Sequence, residues 1–354
     1  MGRPVAPEEA PTPFPATTEI GPSAPPALGA RLTQPRTLIS FAIGFGLLFV
    51  AIQRLDVNLA TTWEVLRSAN VPLYVLALVV YYVAFVFRSM RWRTLLRNVG
   101  YRRREGVVLP RLFGLGRILL LSWFANCLVP AKLGDAYRAY LLKRDADVSF
   151  SKTMGTVLAE RILDLLVLFG LLGLAAVLAF GAALPTAVVS LMELALVLAV
   201  LLVVGLVAMR LLGGRIRGWL PLRLQGKYDS FEAGTLQSFR ALPALTAYTV
   251  VIWLFEAVRL YLVMLSLGVW RANAAVPLFI GLAGALLTTV PITPAGLGFV
   301  ESGLVSLLLL AGGLDLIGGM STAVALSIAL LDRSITYLSL VAFGAVLHLW
   351  PGKR

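Results

Sequence analysis

The sequence predicts an all-α polytopic membrane protein with six spans and two re-entrant broken hairpins, arranged as two inverted repeats. Three observations carry that expectation. Of the 354 residues, 59% are hydrophobic and only 14% charged, and a mean hydropathy of +0.87 is too apolar for an ordinary soluble domain. Several uncharged runs approach or exceed the ~18 to 20 residues that cross a bilayer core; they are continuous in Leu, Ala and Val rather than alternating, which selects helices over a barrel. Finally, Pro130-Ala131-Lys132-Leu133-Gly134 is echoed by Pro294-Ala295-Gly296-Leu297-Gly298, 164 residues further on.

Residues 1–35 hold nine of the nineteen prolines and few aliphatics, with no apolar h-region. They read as a disordered cytoplasmic tail, not a signal peptide. The first span runs about Leu38 to Ile52, and Arg54 to Asn70 is a mixed connector. A second span, Leu73 to Leu95, ends among arginines, with Trp92 as an interface anchor. From Arg88 to Arg117 there are nine arginines against the single acid Glu105, so this loop is cytoplasmic by the positive-inside rule. The uncharged run Ile118 to Ala131 is too short to cross and has basic flanks, which suggests a hairpin that enters and leaves on the cytoplasmic side.

A third span, Met154 to Phe180, and a fourth, Thr186 to Met209, are joined by a minimal turn. A second basic loop leads to a fifth span, Leu242 to Leu267. Ala275 to Leu310 forms the second broken hairpin, hinged at Pro291 to Gly298 and dipping in from outside. The last span, Ile317 to Leu349, brings the C-terminus to the cytoplasm. The organisation is therefore a tail (1–35), a first membrane repeat (36–181), a second (182–350) and a cytoplasmic end (351–354). Adding 164 to the first three spans reaches the last three, and three crossings per half invert the second half. In such proteins the substrate site lies between the halves near the midplane.

Composition excludes several chemistries. Cys127 is the only cysteine and His348 the only histidine, so an intrachain disulfide, a cysteine metal cluster and a multi-histidine metal site are impossible. No cofactor is expected, nor a nucleic-acid partner: the net charge of +13 records topology and contact with anionic lipid. The informative residues are charges inside apolar spans, which cost roughly 2.5–3.5 kcal/mol each on insertion scales and so pair or face water. Glu160, Arg161, Asp164, Glu256, Arg259, Glu301, Asp332 and Arg333 qualify. Neighbours on a helix do not face one another, so Glu160 is not the partner of Arg161. Arg161 and Arg333 project from opposite halves into one polar cavity, where their guanidinium forks suit phosphate, or bridge to Asp135, Glu301 or the hairpin carbonyls and hold the broken helices, two readings that are compatible.

Pro130 and Pro294 each end a helix, while Gly134 and Gly298 let the chain reverse or approach closely. The half-helices that follow would then present free N–H groups, an anion site made of backbone. Asn126 is expected to tie the broken backbone together, with a headgroup contact as the alternative. Lys132 is matched by Gly296 in the second copy, where no charge is needed, so Lys132→Ala is expected to be milder than Gly134→Val or Gly298→Val.

At these residues the sequence resembles the flippase-like membrane domain of lysylphosphatidylglycerol synthetases and its stand-alone relatives. The resemblance rests on Arg91-Trp92, on Asn126 through Asp135 with Arg138, on Glu160-Arg161 with Asp164, on Pro291, Pro294, Gly296, Gly298 and Glu301, and on Arg333. It covers about residues 36–350. It implies a multi-pass cell-membrane protein that moves a lipid or lipid-linked headgroup between leaflets, with a membrane lipid or lipid-linked sugar as its ligand and a glycosyltransferase or lipid-synthesis enzyme as a possible partner. The full-length synthetases carry a soluble aminoacyl-transfer domain that this sequence lacks, so no enzymatic activity is expected. An ion-coupled carrier of a small anion and a non-transporting partner of a glycosyltransferase are the competing readings. The expected substrate contacts are Asn126, Asp135, Arg138, Arg161, Glu301 and Arg333, supported by Glu160, Asp164, Glu256, Arg259 and Asp332.

Overall fold

The computed structural model describes residues 34–54, 58–129, 132–181, 184–270, 273–288 and 293–349. The tail expected over residues 1–35 lies almost wholly outside these, as do Pro130, Pro291 and the cytoplasmic end 351–354. Among the described residues every regular element is helical: α1 Pro35–Arg54, α2 Leu59–Arg67, α3 Val71–Asn98, α4 Leu112–Leu128, α5 Leu133–Ala146, α6 Phe150–Phe180, α7 Thr186–Trp219, α8 Leu222–Gln237, α9 Leu242–Ser266, α10 Ala275–Leu287, α11 Phe299–Gly313, α12 Thr322–Arg333 and α13 Leu340–Leu349.

Local signals place the starts. The side chains of Asn58, Asn70, Ser149 and Ser321 accept from first-turn N–H groups of α2, α3, α6 and α12, and Pro72 and Pro243 sit where a helix needs no N–H donor. Five helical segments are long and apolar enough to cross a bilayer: α3, α6, α7, the α8–α9 segment and α12–α13. The first expected span is α1, of 20 residues, whose apolar stretch Thr37–Gly46 is shorter. The connector before α3 contains the helix α2, and α7 continues past the predicted end at Met209 to Trp219. The last span is not continuous from Ile317. Asp315 and Gly318 take positive φ there, α12 starts at Thr322, and a π-helical turn at Ser334–Ser339 joins it to α13.

Both hairpins break where expected, α4 to α5 and α10 to α11. All four of their helices have 17 residues or fewer, too short for a full crossing. Helix α7 is the most peripheral of the long helices: Val197, Val200, Leu201, Val204 and Leu211 are exposed, and only four of its residues are buried. In water that apolar surface would be an aggregation hazard; in a bilayer it is the solvated face.

The centre of the molecule is the antiparallel pair α3 and α9. The Asn70 N–H donates to the Ser266 carbonyl at one end (2.8 Å), and Asn98 Nδ2 to the Ser238 carbonyl at the other (2.8 Å). Between them, residues 168 positions apart meet each other: Arg88 bonds Glu256 at 2.7 Å, and the Phe87 and Phe255 rings lie 5.3 Å apart. The same offset relates two further ion pairs, Arg91–Asp164 and Arg259–Asp332, each spanning 73 residues. The hinges repeat at 164 residues and these helices at 168, so one helical turn separates the two registers.

An inverted second half carries a topological expectation. With Cys127 replaced, single cysteines at Lys143 and Asn273 should be labelled by an impermeant maleimide from opposite faces of the membrane. Labelling of both from the same face rules the inversion out.

Candidate functional site

The first hinge is set by two local features. Lys132, at the start of α5, adopts the left-handed conformation at φ 53°. Gly134 does not need positive φ; it needs to be small, because a Cβ there would lie 1.9 Å from the Ser122 carbonyl oxygen of α4. The second hinge uses backbone conformation instead, with Ala295, Gly296 and Gly298 at φ 49°, 73° and 81°. The expected backbone anion sites are absent at the two glycines. The Gly134 N–H donates to Asn126 Oδ1 (2.8 Å) and the Gly298 N–H to Glu301 Oε2 (2.7 Å), because each broken helix caps itself with a nearby side-chain oxygen. Asn126 thus ties the broken backbone together. Pro294 lies in a short 3-10 turn at the second hinge.

The charged residues form a buried network. Arg161 grips Asp135 with Nε and Nη2, at 2.9–3.2 Å. Arg333 donates from Nε to Glu301 (2.6 Å) and from Nη2 to the Ala295 carbonyl (3.0 Å). Each half-helix after a hinge is therefore clamped by an arginine from a long helix. Glu160 turns away from its neighbour Arg161 and binds Arg138 and Arg91, both at 3.1 Å. Asp164 receives both terminal nitrogens of Arg91, Glu256 bridges Arg88 and Arg259, and Arg259 also bonds Asp332. Six arginines meet six carboxylates, so the network is neutral.

A cavity of about 620 Å³ lies between the two hinges. Both broken hairpins line it, through Asn126, Lys132 and Asp135 on one side and Thr293, Ala295 and Gly296 on the other. Arg88, Arg161, Asp164, Glu256, Arg259, Asp332 and Arg333 complete its charged lining, with leucines of α6 and α7 among the apolar residues. Two expected substrate contacts are not on this wall. Arg138 is 1% exposed, held by Glu160 and stacked 4.9 Å above the Trp92 ring, and Glu301 is spent on Arg333 and its own helix cap. Both stand behind the lining, Glu301 tied into the second hinge and Arg138 tied to Glu160. Glu160 is placed likewise, outside the lining.

Three further residues, two of them (Arg91 and Trp92) in the motif that carries the resemblance, stand elsewhere than their neighbours in the sequence suggest. Arg88 and Arg91 read as loop charges, yet they are 6% and 0% exposed inside the network. Trp92 reads as an interface anchor and is instead fully buried against Arg138. Their signal was the i, i+3 spacing of Arg88 and Arg91, repeated by Glu256 and Arg259.

Removing one partner of a buried pair costs more than the pair contributes. Arg161→Ala should lower the stability of the detergent-solubilised protein by about 3–5 kcal/mol, and adding Asp135→Ala should recover most of it. Gly134→Ala should cost roughly 1–3 kcal/mol through overpacking, whereas Gly205→Ala, with open space around its Cβ, should be neutral. Thermal unfolding measures both; equal effects at the two glycines would contradict the close approach at the hinge.

Comparison with known proteins places this architecture. Residues 37–344 match the lysylphosphatidylglycerol synthase TM region. The UPF0104 membrane protein MJ1078 of Methanocaldococcus jannaschii is 33% identical over 225 residues, 63% of this chain and 92% of that protein. The UPF0104 membrane protein PH1989 of Pyrococcus horikoshii is 23% identical over 315 residues, 81% of this chain and 90% of its own. Glycosyltransferase AglD of Haloferax volcanii is 26% identical over 309 residues, 77% of this chain but only 48% of that protein. With buried charge inside a bundle of apolar helices, and with a sequence match over most of its length, this multi-pass membrane protein belongs to the family of the lysylphosphatidylglycerol synthase TM region.

Proposed function

We propose that the protein moves the phosphate-bearing headgroup of a lipid between bilayer leaflets, the lipid being an anionic phospholipid or a polyprenyl-phosphate-linked sugar. The observation that carries this reading is the cavity bounded by both hinges. Charged side chains line it, and so does Leu201 of α7, which is 61% exposed on the apolar surface. Such a shape accommodates a polar headgroup while acyl chains stay in lipid. In this reading the protein is a transporter and not an enzyme, and it sits in the cell membrane with both termini cytoplasmic.

Arg161 and Arg333 act on the substrate from a fixed position. Each is held by a carboxylate through Nε, and each has an Nη1 with no protein acceptor among the described residues. A phosphate oxygen entering the cavity can take that remaining donor without breaking the clamp, a charge-assisted bond in a water-poor site. We read the recurrence of ion pairs at 168 residues, on antiparallel helices, as two inverted halves. Rocking of one half against the other, or motion of the hairpins, would then expose the cavity to each leaflet in turn. The relationship to a glycosyltransferase supports a second role for the same domain, as a membrane partner of a sugar-transferring enzyme.

A leaflet-resolved assay in defined liposomes tests the reading. Fluorescent lipid of either class, on both leaflets, should become fully accessible to an external quencher when the protein is present, with no change in headgroup. Accessibility limited to the outer leaflet, as in protein-free vesicles, would refute transbilayer movement. Uptake of a soluble anion in its place would favour the small-anion carrier.

A further inference from the structure

We infer that Lys132 is the cation that decides phosphate binding in this cavity, the ligand's phosphate being received by Lys132 together with the free Nη1 groups of Arg161 and Arg333. The inference rests on the headgroup-transport reading and specifies which residue receives the charge. Every other charged group on the cavity wall belongs to the neutral network of six arginines and six carboxylates. Lys132 alone on that wall has no acid within ion-pair distance among the described residues, which leaves the cavity one positive charge in excess. An uncompensated ammonium in an apolar bundle is costly, and an anion is what relieves it.

Two further donors point the same way. Arg161 and Arg333 also line the cavity, and each keeps an Nη1 with no protein acceptor among the described residues. Each carboxylate on the wall already holds an arginine. A ligand rich in acceptors and negatively charged satisfies all three donors, and phosphate is that chemistry.

Backbone conformation provides an independent reason. Lys132 sits at φ 53°, where a lysine is strained and a glycine is not, and the equivalent position of the second hinge is occupied by Gly296 at φ 73°. A side chain kept at a position where glycine would fold more easily has a use outside folding. On this proposal the loss of Lys132 is not the mild change expected from its match with Gly296.

The same conformation supplies the test. Lys132→Gly should leave the thermal midpoint of the full-length protein in detergent unchanged or raised, because it relieves strain. It should weaken binding of dodecyl phosphate, measured by calorimetry against a micelle blank, by about ten-fold or more. Lys132→Arg should retain binding to within about three-fold. Inorganic phosphate is titrated in parallel. If it binds as tightly and with the same dependence on Lys132, the phosphate site stands while the lipid reading falls; tight binding of dodecyl phosphate alone supports both. Binding by Lys132→Gly equal to wild type, or no saturable binding of either phosphate by wild type, overturns the proposal. Because the readout is binding, a failure of lipid translocation elsewhere does not decide it.

Discussion

Charge neutrality inside an apolar bundle is the constraint on which the rest of this structure depends. A lone guanidinium or carboxylate among aliphatic side chains is strongly disfavoured, and mutual attraction offsets that penalty only where the geometry is close and the leftover lone pairs are satisfied. Here the six arginines and six carboxylates come from α3, α5, α6, α9, α11 and α12. Elements far apart in sequence are thus held in one arrangement by a requirement that no single helix can meet. The two hinges follow from it. A broken helix would leave its amides and its first-turn acid unsatisfied, and Arg161 and Arg333 answer the acid while Asn126 and Glu301 answer an amide.

Helix content and hinge positions were legible in the sequence because their causes are local. Uncharged runs, prolines and glycines act within a few residues, and the breaks after Leu128 and before Phe299 follow from them. What each charge does was not legible, because ion pairing is set by packing over separations of 73 or 168 residues. Arg88 and Arg91 stand in a run of nine arginines of which six others are exposed, and nothing local separates the two buried cations from those. The same limit explains Trp92, whose buried ring lies against Arg138 of the first hairpin. Conversely, the alternatives for Arg161 and Arg333 were not exclusive: both residues line the cavity and both hold a hinge.

The two hinges reach one outcome by different means. At the first, close approach demands the absence of a side chain at Gly134, and Asn126 fills the space beside it. At the second, a run of positive φ turns the chain, and Glu301 caps it. Sequence similarity between the hinges is consequently a weak guide to which substitution each would tolerate. Gly134 and Gly298 look alike in the repeat, yet one is limited by volume and the other by torsion.

The contact between Arg88 and Glu256 bears on why both segments belong to one chain. Two separate, identical polypeptides related by a two-fold axis would bring the same residue against itself wherever a side chain lies on that axis. Arginine would meet arginine, or glutamate would meet glutamate, with no water to screen the repulsion. A single chain is free of that restriction and can carry opposite charges at positions 88 and 256. Covalent linkage here makes possible an attraction between positions 88 and 256 that self-association of identical segments forbids, and it also fixes which segment carries which sign.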